Sequence, residues 1–232
     1  MSRTDLAAAL VAGPVLLDGG LATELEAAGH DLSGTLWSGR LLLESPEAVT
    51  AAHARFFAAG ARVATTASYQ LSYDGLAAVG VERDAADGLL RRSVEVAASA
   101  RASAADPEGC WVAASVGPYG AALADGSEYR GDYGLTVDQL RAWHRPRLAV
   151  LATAGADVLA METIPCLAEV EALLAEVAGD AQVSDSQHGT PVPATSASSA
   201  STSARQGIVS IASTSAPALA STASRGRCQA RS

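Results

Sequence analysis

The segment Pro14-Val-Leu-Leu-Asp-Gly-Gly-Leu-Ala-Thr-Glu-Leu-Glu26 decides how this chain folds. A short apolar run stops at Asp18 and two glycines, and an amphipathic helix begins directly after them. A strand that hands over to a helix in this way leaves a single carboxylate at the carboxyl end of a buried strand. That is where α/β proteins build their sites. Taken alone, Asp followed by glycines also describes an ordinary turn, so the later strands carry the decision.

Working outward, strand-like and helix-like segments alternate. Residues 62–66, 110–116 and 157–161 read as further strands. Between them, Ser45 and Pro46 open a helix as N-cap and first-turn residue, with Val49, Ala52, His53, Phe56 and Phe57 on one face and Gly60 at its end. Residues 82–101 form a long helical pattern with Leu89, Leu90, Val94 and Ala97 inward, residues 136–154 another closed by Gly155, and residues 166–178 a last one. This β-then-α order predicts a parallel sheet with right-handed crossovers. Each apolar strand hands over to polar residues: Asp18; Thr65, Thr66 and Ser68; Ser115 with Gly117-Pro118-Tyr119; and Glu162-Thr163. In a (β/α)8 barrel these ends converge on one face. Asp18 and Glu162 then share a cleft with hydroxyls and backbone amides, a setting that suits a ligand bearing an ammonium group.

Composition narrows the classes. The 232 residues are 49% hydrophobic, enough for a real core in one large domain or two small ones. No apolar run is long enough to span a bilayer, and residues 1–10 lack a signal-peptide layout. A formal charge of -9 argues against nucleic acid as a partner. Cys110, Cys166 and Cys228 are too few and too scattered for a disulfide framework, which points to a reducing cytoplasm. Every basic residue is arginine, as in GC-rich coding. Residues 1–180 hold 24 acidic and 12 basic residues, whereas 181–232 hold one acid, Asp185, and four arginines. The Ser/Ala/Thr-rich part after a boundary at 179–183 has neither a period of 2 nor of 3.6 and too little apolar surface to offset chain entropy. Residues 1–180 are therefore the expected folded domain, and 181–232 an unpacked tail with one short extended piece at 207–212.

The motifs Asp18-Gly-Gly-Leu-Ala-Thr-Glu-Leu-Glu26, Thr66-Ala-Ser-Tyr-Gln70, Ser115-Val-Gly-Pro-Tyr-Gly120, Ala124-Asp-Gly-Ser-Glu-Tyr-Arg-Gly-Asp-Tyr133, His144-Arg-Pro-Arg147 and Glu162-Thr-Ile-Pro165 follow one another in order. Together, over residues 12–178, they resemble the homocysteine S-methyltransferase family, most closely its members that use S-methylmethionine. The resemblance implies a (β/α)8 barrel that transfers a methyl group from a sulfonium donor to the thiol of homocysteine, giving methionine. It implies that Asp18 and Glu162 hold the ammonium group, that Gly19, Thr66 and Ser68 help to seat the substrate, and that Tyr119, Glu128 and Arg130 wall the donor side. It also implies zinc, which turns a thiol of ordinary pKa about 8.5 into a thiolate; the thiolate then displaces the methyl group in line, helped by proximity.

The chain departs from the family at that metal. The family's three zinc-binding cysteines lie in a Gly-x-Asn-Cys segment and a Gly-Gly-Cys-Cys segment, and neither occurs here. Cys110 begins a strand at the end away from the polar face, Cys166 follows the Glu-Thr-Ile-Pro turn, and Cys228 stands alone. His30 and His188 read as solvated, His53 as a core histidine, and His144 as a helix-surface residue that positions a loop. The expectation is therefore the first four βα units of a barrel followed by an out-of-frame or relic tail, inactive as written. The alternative is a non-catalytic half-barrel that self-associates through its open edge. A barrel lyase using Asp18 and Glu162 as an acid/base pair leaves the other motifs unexplained.

Overall fold

The computed structural model describes residues 5–32, 38–186 and 207–211. Four strands, β1 (Val63–Thr65), β2 (Trp111–Val116), β3 (Val158–Glu162) and β4 (Gly207–Ile211), form one parallel sheet in the order β1-β2-β3-β4. Nine helices are described: α1 (Leu6–Ala12), α2 (Leu21–Ala27), α3 (Ser38–Glu44), α4 (Pro46–Ala58), α5 (Tyr73–Ala78), α6 (Arg83–Ala102), α7 (Tyr119–Leu123), α8 (Val137–Thr153) and α9 (Leu167–Ser186). The expected βα alternation is present.

Two boundaries differ from the sequence reading. Residues 14–18 are not a full strand but a single parallel bridge between Leu17 and Val63. Two backbone bonds carry it, Arg62 N–H to the Leu16 carbonyl at 2.8 Å and Asp18 N–H to the Val63 carbonyl at 3.1 Å. Pairing goes no further because the next amide of β1, Thr65 N–H, is taken by the Asp18 carboxylate. At the other end, α9 runs through the boundary at 179–183 to Ser186; the short extended piece expected at 207–212 is present as β4, but it is packed, pairing with β3 from Val158↔Gly207 to Glu162↔Ile211. The remainder of the stretch read as tail, with His188 and Cys228, lies outside the described residues.

The strands alternate their side chains between two cores. Val112, Ala114 and Val116 of β2 and Leu159 and Met161 of β3 face the helices. Trp111 and Ala113 of β2 and Val158 and Ala160 of β3 face the other way, with Val63, against Leu6 of α1. On the helical side α4 buries Val49, Ala52, His53 and Phe57 behind a proline in its first turn. α6 buries Leu89, Leu90, Val94 and Ala97 as its period demands. A fully buried leucine such as Leu90 or Leu151 contributes about 2 kcal/mol through removal from water. α8 starts with a reciprocal capping box between Thr136 and Gln139 and continues past Pro146.

Candidate functional site

The inner face of the sheet places the site. Extending its rows towards the carboxyl end leads from Val63 to Thr65, from Ala113 to Ser115 and from Ala160 to Glu162. Apolar residues at the foot of each row give way to polar ones at the top. There they border a cleft of about 320 Å³ lined by Asp18, Gly19, Thr65, Thr66, Ser115 and Glu162, together with Leu17, Leu21, Ala67, Tyr69 and Thr163. Asp18 and Glu162 are thus brought together.

The Asp18 side chain is only 3% exposed. One carboxylate oxygen accepts the Thr65 backbone N–H and the other the Thr65 hydroxyl, each at 2.7 Å. The side chain therefore ties the short bridge segment to β1 where backbone pairing stops. Burial pushes its pKa up, and the Thr65 bonds pull it partly back. Glu162 accepts a hydrogen bond from the Ser115 hydroxyl. Its pKa is also raised, first by burial and further by the charge of Asp18. No arginine or histidine is among the described residues lining the cleft. His53 stands behind Asp18, its Nδ1 4.0 Å from the carboxylate, and is fully buried. Burial drops its pKa to about 4, so it is neutral and supplies no counter-charge. Two carboxylates in one half-enclosed cleft without a protein cation form a receptor for a cationic group, which relieves their mutual repulsion through charge-assisted hydrogen bonds.

The neighbouring residues shape this receptor. A Cβ on Gly19 would stand 3.0 Å from the ring of Phe56, so glycine lets that ring close in beneath the cleft. Thr66 lines the cleft, but its hydroxyl is occupied: it receives the Ser115 N–H at 3.0 Å and pairs with the Ser68 hydroxyl at 2.7 Å. Ser68 lies below the cleft, buried, and donates to the Ser115 carbonyl at 2.7 Å. Its position makes it a tie between β1 and β2. Thr163 has φ of 55°, a left-handed conformation that costs a β-branched residue energy and is held by its surroundings. The Tyr69 phenol bonds to its side chain. In the sequence Thr65 and Thr163 stand only as polar strand ends and Tyr69 only inside a motif, none with a role of its own at the site. The doubled threonine at a strand end was a usable signal for Thr65, whereas a strained φ leaves no trace in residue type.

The remaining candidates lie away from the cleft lining. Tyr119 opens α7 and packs edge-on against Tyr133 and Trp143. Glu128 is half-buried, and its charge helps to raise the Tyr69 pKa, behind the larger effect of burial. Arg130 is exposed and pairs with Asp132 at 3.2 Å. His144 corrects the sequence reading: it is fully buried, not a surface residue, because both ring nitrogens are taken by Glu169 and Arg147. His30 is half-buried after α2, and His53 is in the core as expected.

The described residues do not fit a zinc site. Cys110 is buried at the foot of β2, at the opposite end from Ser115, and Cys166 packs beside Gly131. Among the described residues no group of three or more His, Cys, Asp or Glu side chains could hold a metal ion.

A family model described as homocysteine S-methyltransferase matches residues 15–221. The chain belongs to the homocysteine S-methyltransferase family. It is 48% identical over 173 residues to the homocysteine S-methyltransferase YbgG of Bacillus subtilis, covering 69% of this chain and 53% of that protein. It is 50% identical over 163 residues to the homocysteine S-methyltransferase of Escherichia coli, covering 68% and 53%. The crystal structure of the metallated form of the Escherichia coli homocysteine methyltransferase MmuM superposes with a TM-score of 0.72 at 46% identity, over 77% of this chain and 64% of that one. The α/β fold with its parallel sheet is thus shared with that enzyme. This family member spans about half the length of the curated relatives that it matches. No described helix is long and apolar enough to cross a membrane.

Proposed function

We propose that the cleft is the amino-acid half of a homocysteine S-methyltransferase site, with the ammonium group of homocysteine held between Asp18 and Glu162. The observation that carries this reading is the pairing of two carboxylates, their pKa values raised by burial, in one cleft whose described lining holds no cation. Gly19 and Thr66 seat the substrate beside them, and Ser68 acts through Ser115 from below. The methyl donor is a sulfonium such as S-methylmethionine, which places a second positive charge nearby. Glu128 and Tyr119 are the donor-side groups in this reading, with Arg130 at the solvent rim. The sheet, whose strands follow one another in chain order and all run parallel, supports a (β/α)8-type barrel of which this chain supplies the first units. The two free cysteines among the described residues, Cys110 and Cys166, suit a reducing cytoplasm.

Thiol activation is a different matter. With no fitting ligand set among the described residues, we propose that this polypeptide binds homocysteine but does not transfer the methyl group by itself. The purified chain, given homocysteine and S-methylmethionine, should show a calorimetric binding signal and form no methionine. Turnover of even a few cycles per chain overturns the inactive reading, and absence of homocysteine binding overturns the site.

The second reading, a non-catalytic half-barrel that pairs with another copy, is favoured by one feature. The apolar groove between α1 and the inner face of the sheet is flanked by the exposed side chains of Leu10 and Leu17. Sedimentation at increasing concentration separates the two readings, since a chain that stays monomeric while binding homocysteine excludes pairing as its purpose.

A further inference from the structure

Behind the cleft, three charged or titratable side chains outside the proposed binding contacts form one buried network. His144 and Arg147 lie one turn apart on α8, and Glu169 is in the first turn of α9; all three are buried. One Glu169 carboxylate oxygen accepts the Tyr119 backbone N–H at 2.5 Å and meets His144 Nε2 at 2.8 Å. Arg147 donates to the Gly117 carbonyl at 2.7 Å and to His144 Nδ1 at 2.9 Å. Arginine can only donate, so Nδ1 accepts and the Nε2–H donates to Glu169, which fixes a neutral imidazole between the two charges.

The two backbone groups that this network takes flank Pro118, which has no N–H of its own. The Gly117 carbonyl and the Tyr119 N–H belong to the turn that leaves β2, beyond the reach of sheet pairing, and buried backbone groups need partners. The turn is also held from the front. A Cβ on Gly117 would lie 2.7 Å from the Tyr69 backbone oxygen. Ser115, two residues before this turn, is the donor that holds Glu162.

We propose that Glu169, with His144 and Arg147, is a positioning clamp: it fixes the Gly117–Tyr119 turn and, through Ser115, aims the Glu162 carboxylate into the cleft. None of the three lines the cleft. The inference rests on the reading of the cleft as an amino-acid site, and it gives the His144-Arg-Pro-Arg147 motif a task that binding alone leaves unassigned.

The test uses the full chain and two readouts, amide hydrogen exchange at Tyr119 and calorimetric affinity for homocysteine. Glu169→Ala should speed Tyr119 exchange at least tenfold and weaken homocysteine about thirtyfold, whereas Glu169→Gln, which keeps the accepting oxygen, should recover most of both. Arg147→Lys keeps the charge but loses the planar fork, and should weaken homocysteine about fivefold if Glu169→Ala does not fold. Unchanged affinity in folded Glu169→Ala or Arg147→Lys, or no recovery in Glu169→Gln, overturns the clamp. If the unaltered chain binds no homocysteine, the functional reading fails separately. The clamp is then judged by Tyr119 exchange and by the Ser115 amide and Glu162 carboxyl resonances, which must move in Glu169→Ala and return in Glu169→Gln.

Discussion

Glu162 and Glu169 stand on either side of the turn from β3 into α9, and the protein treats them in opposite ways. Glu169 is buried among protein donors, a backbone N–H and an imidazole N–H, with an arginine beyond the ring. Glu162 has one side-chain donor, Ser115, and shares an open cleft with a second carboxylate. The same residue type is a structural strut where the protein closes around it, with one oxygen doubly bonded and the other, Oε2, buried without a hydrogen-bond partner, and a receptor where it faces an open cleft. Burial alone therefore does not mark a functional acid; an unmet electrostatic demand beside open volume does.

Acidification is the harshest way to break this contrast. Burial drops the pKa of His53 and of His144 to about 4 from an ordinary 6.5. Between those values the unfolded chain holds more protons than the fold, so stability is lost as pH falls from 6.5 towards 4. His53 alone corresponds to a loss on the order of 3 kcal/mol. Asp18 and Glu162 act with the opposite sign: their raised pKa values mean that just above the ordinary 3.8 and 4.5 the fold holds the extra protons, which favours it as pH falls. Chemical denaturation between pH 7 and 4 should show a net fall in stability. A flat profile contradicts the neutral buried histidines.

Glu169→Ala comes next. Removing one member of a buried charged network should cost about 3 kcal/mol and lower Tm by roughly 10 °C in a thermal melt. Glu162→Gln sharpens the comparison from the other side. It should weaken homocysteine roughly thirtyfold, or about 2 kcal/mol for a charge-assisted bond, while Tm stays level or rises because a repelled buried charge is gone. An equal loss of Tm in both variants would erase the distinction between Glu162 and Glu169. The smallest effect is expected for Arg130→Ala. Its exposed pair with Asp132 should contribute within 0.5 kcal/mol to stability, and homocysteine affinity should stay within twofold.

Much of this was legible in residue order. The Asp18-Gly-Gly turn, the alternation of strand and helix, and the polar strand ends at Thr66, Ser115 and Glu162 all follow from periodicity and local turn chemistry. Four features were not. The Pro14 segment looks like a strand, yet it makes one bridge, because the Asp18 side chain takes the Thr65 amide of β1. The extended piece expected at 207–212 is there as β4, but its pairing with β3 was not legible, because parallel pairing depends on a distant partner. Ser68 looks like a cleft hydroxyl until its bond to the Ser115 carbonyl is seen. His144, on a helix rich in arginine, looks solvated; only the arrival of α9 with Glu169 makes a core position there. Each of these depends on contacts far apart in sequence, which spacing alone does not encode.

The most direct test is a calorimetric titration of the purified chain with homocysteine and with 4-mercaptobutanoate, which lacks only the ammonium group. If Asp18 and Glu162 form the cation receptor, homocysteine binds and the deaminated analogue binds at least tenfold more weakly. Equal affinity for the two ligands, or no binding of homocysteine, contradicts it.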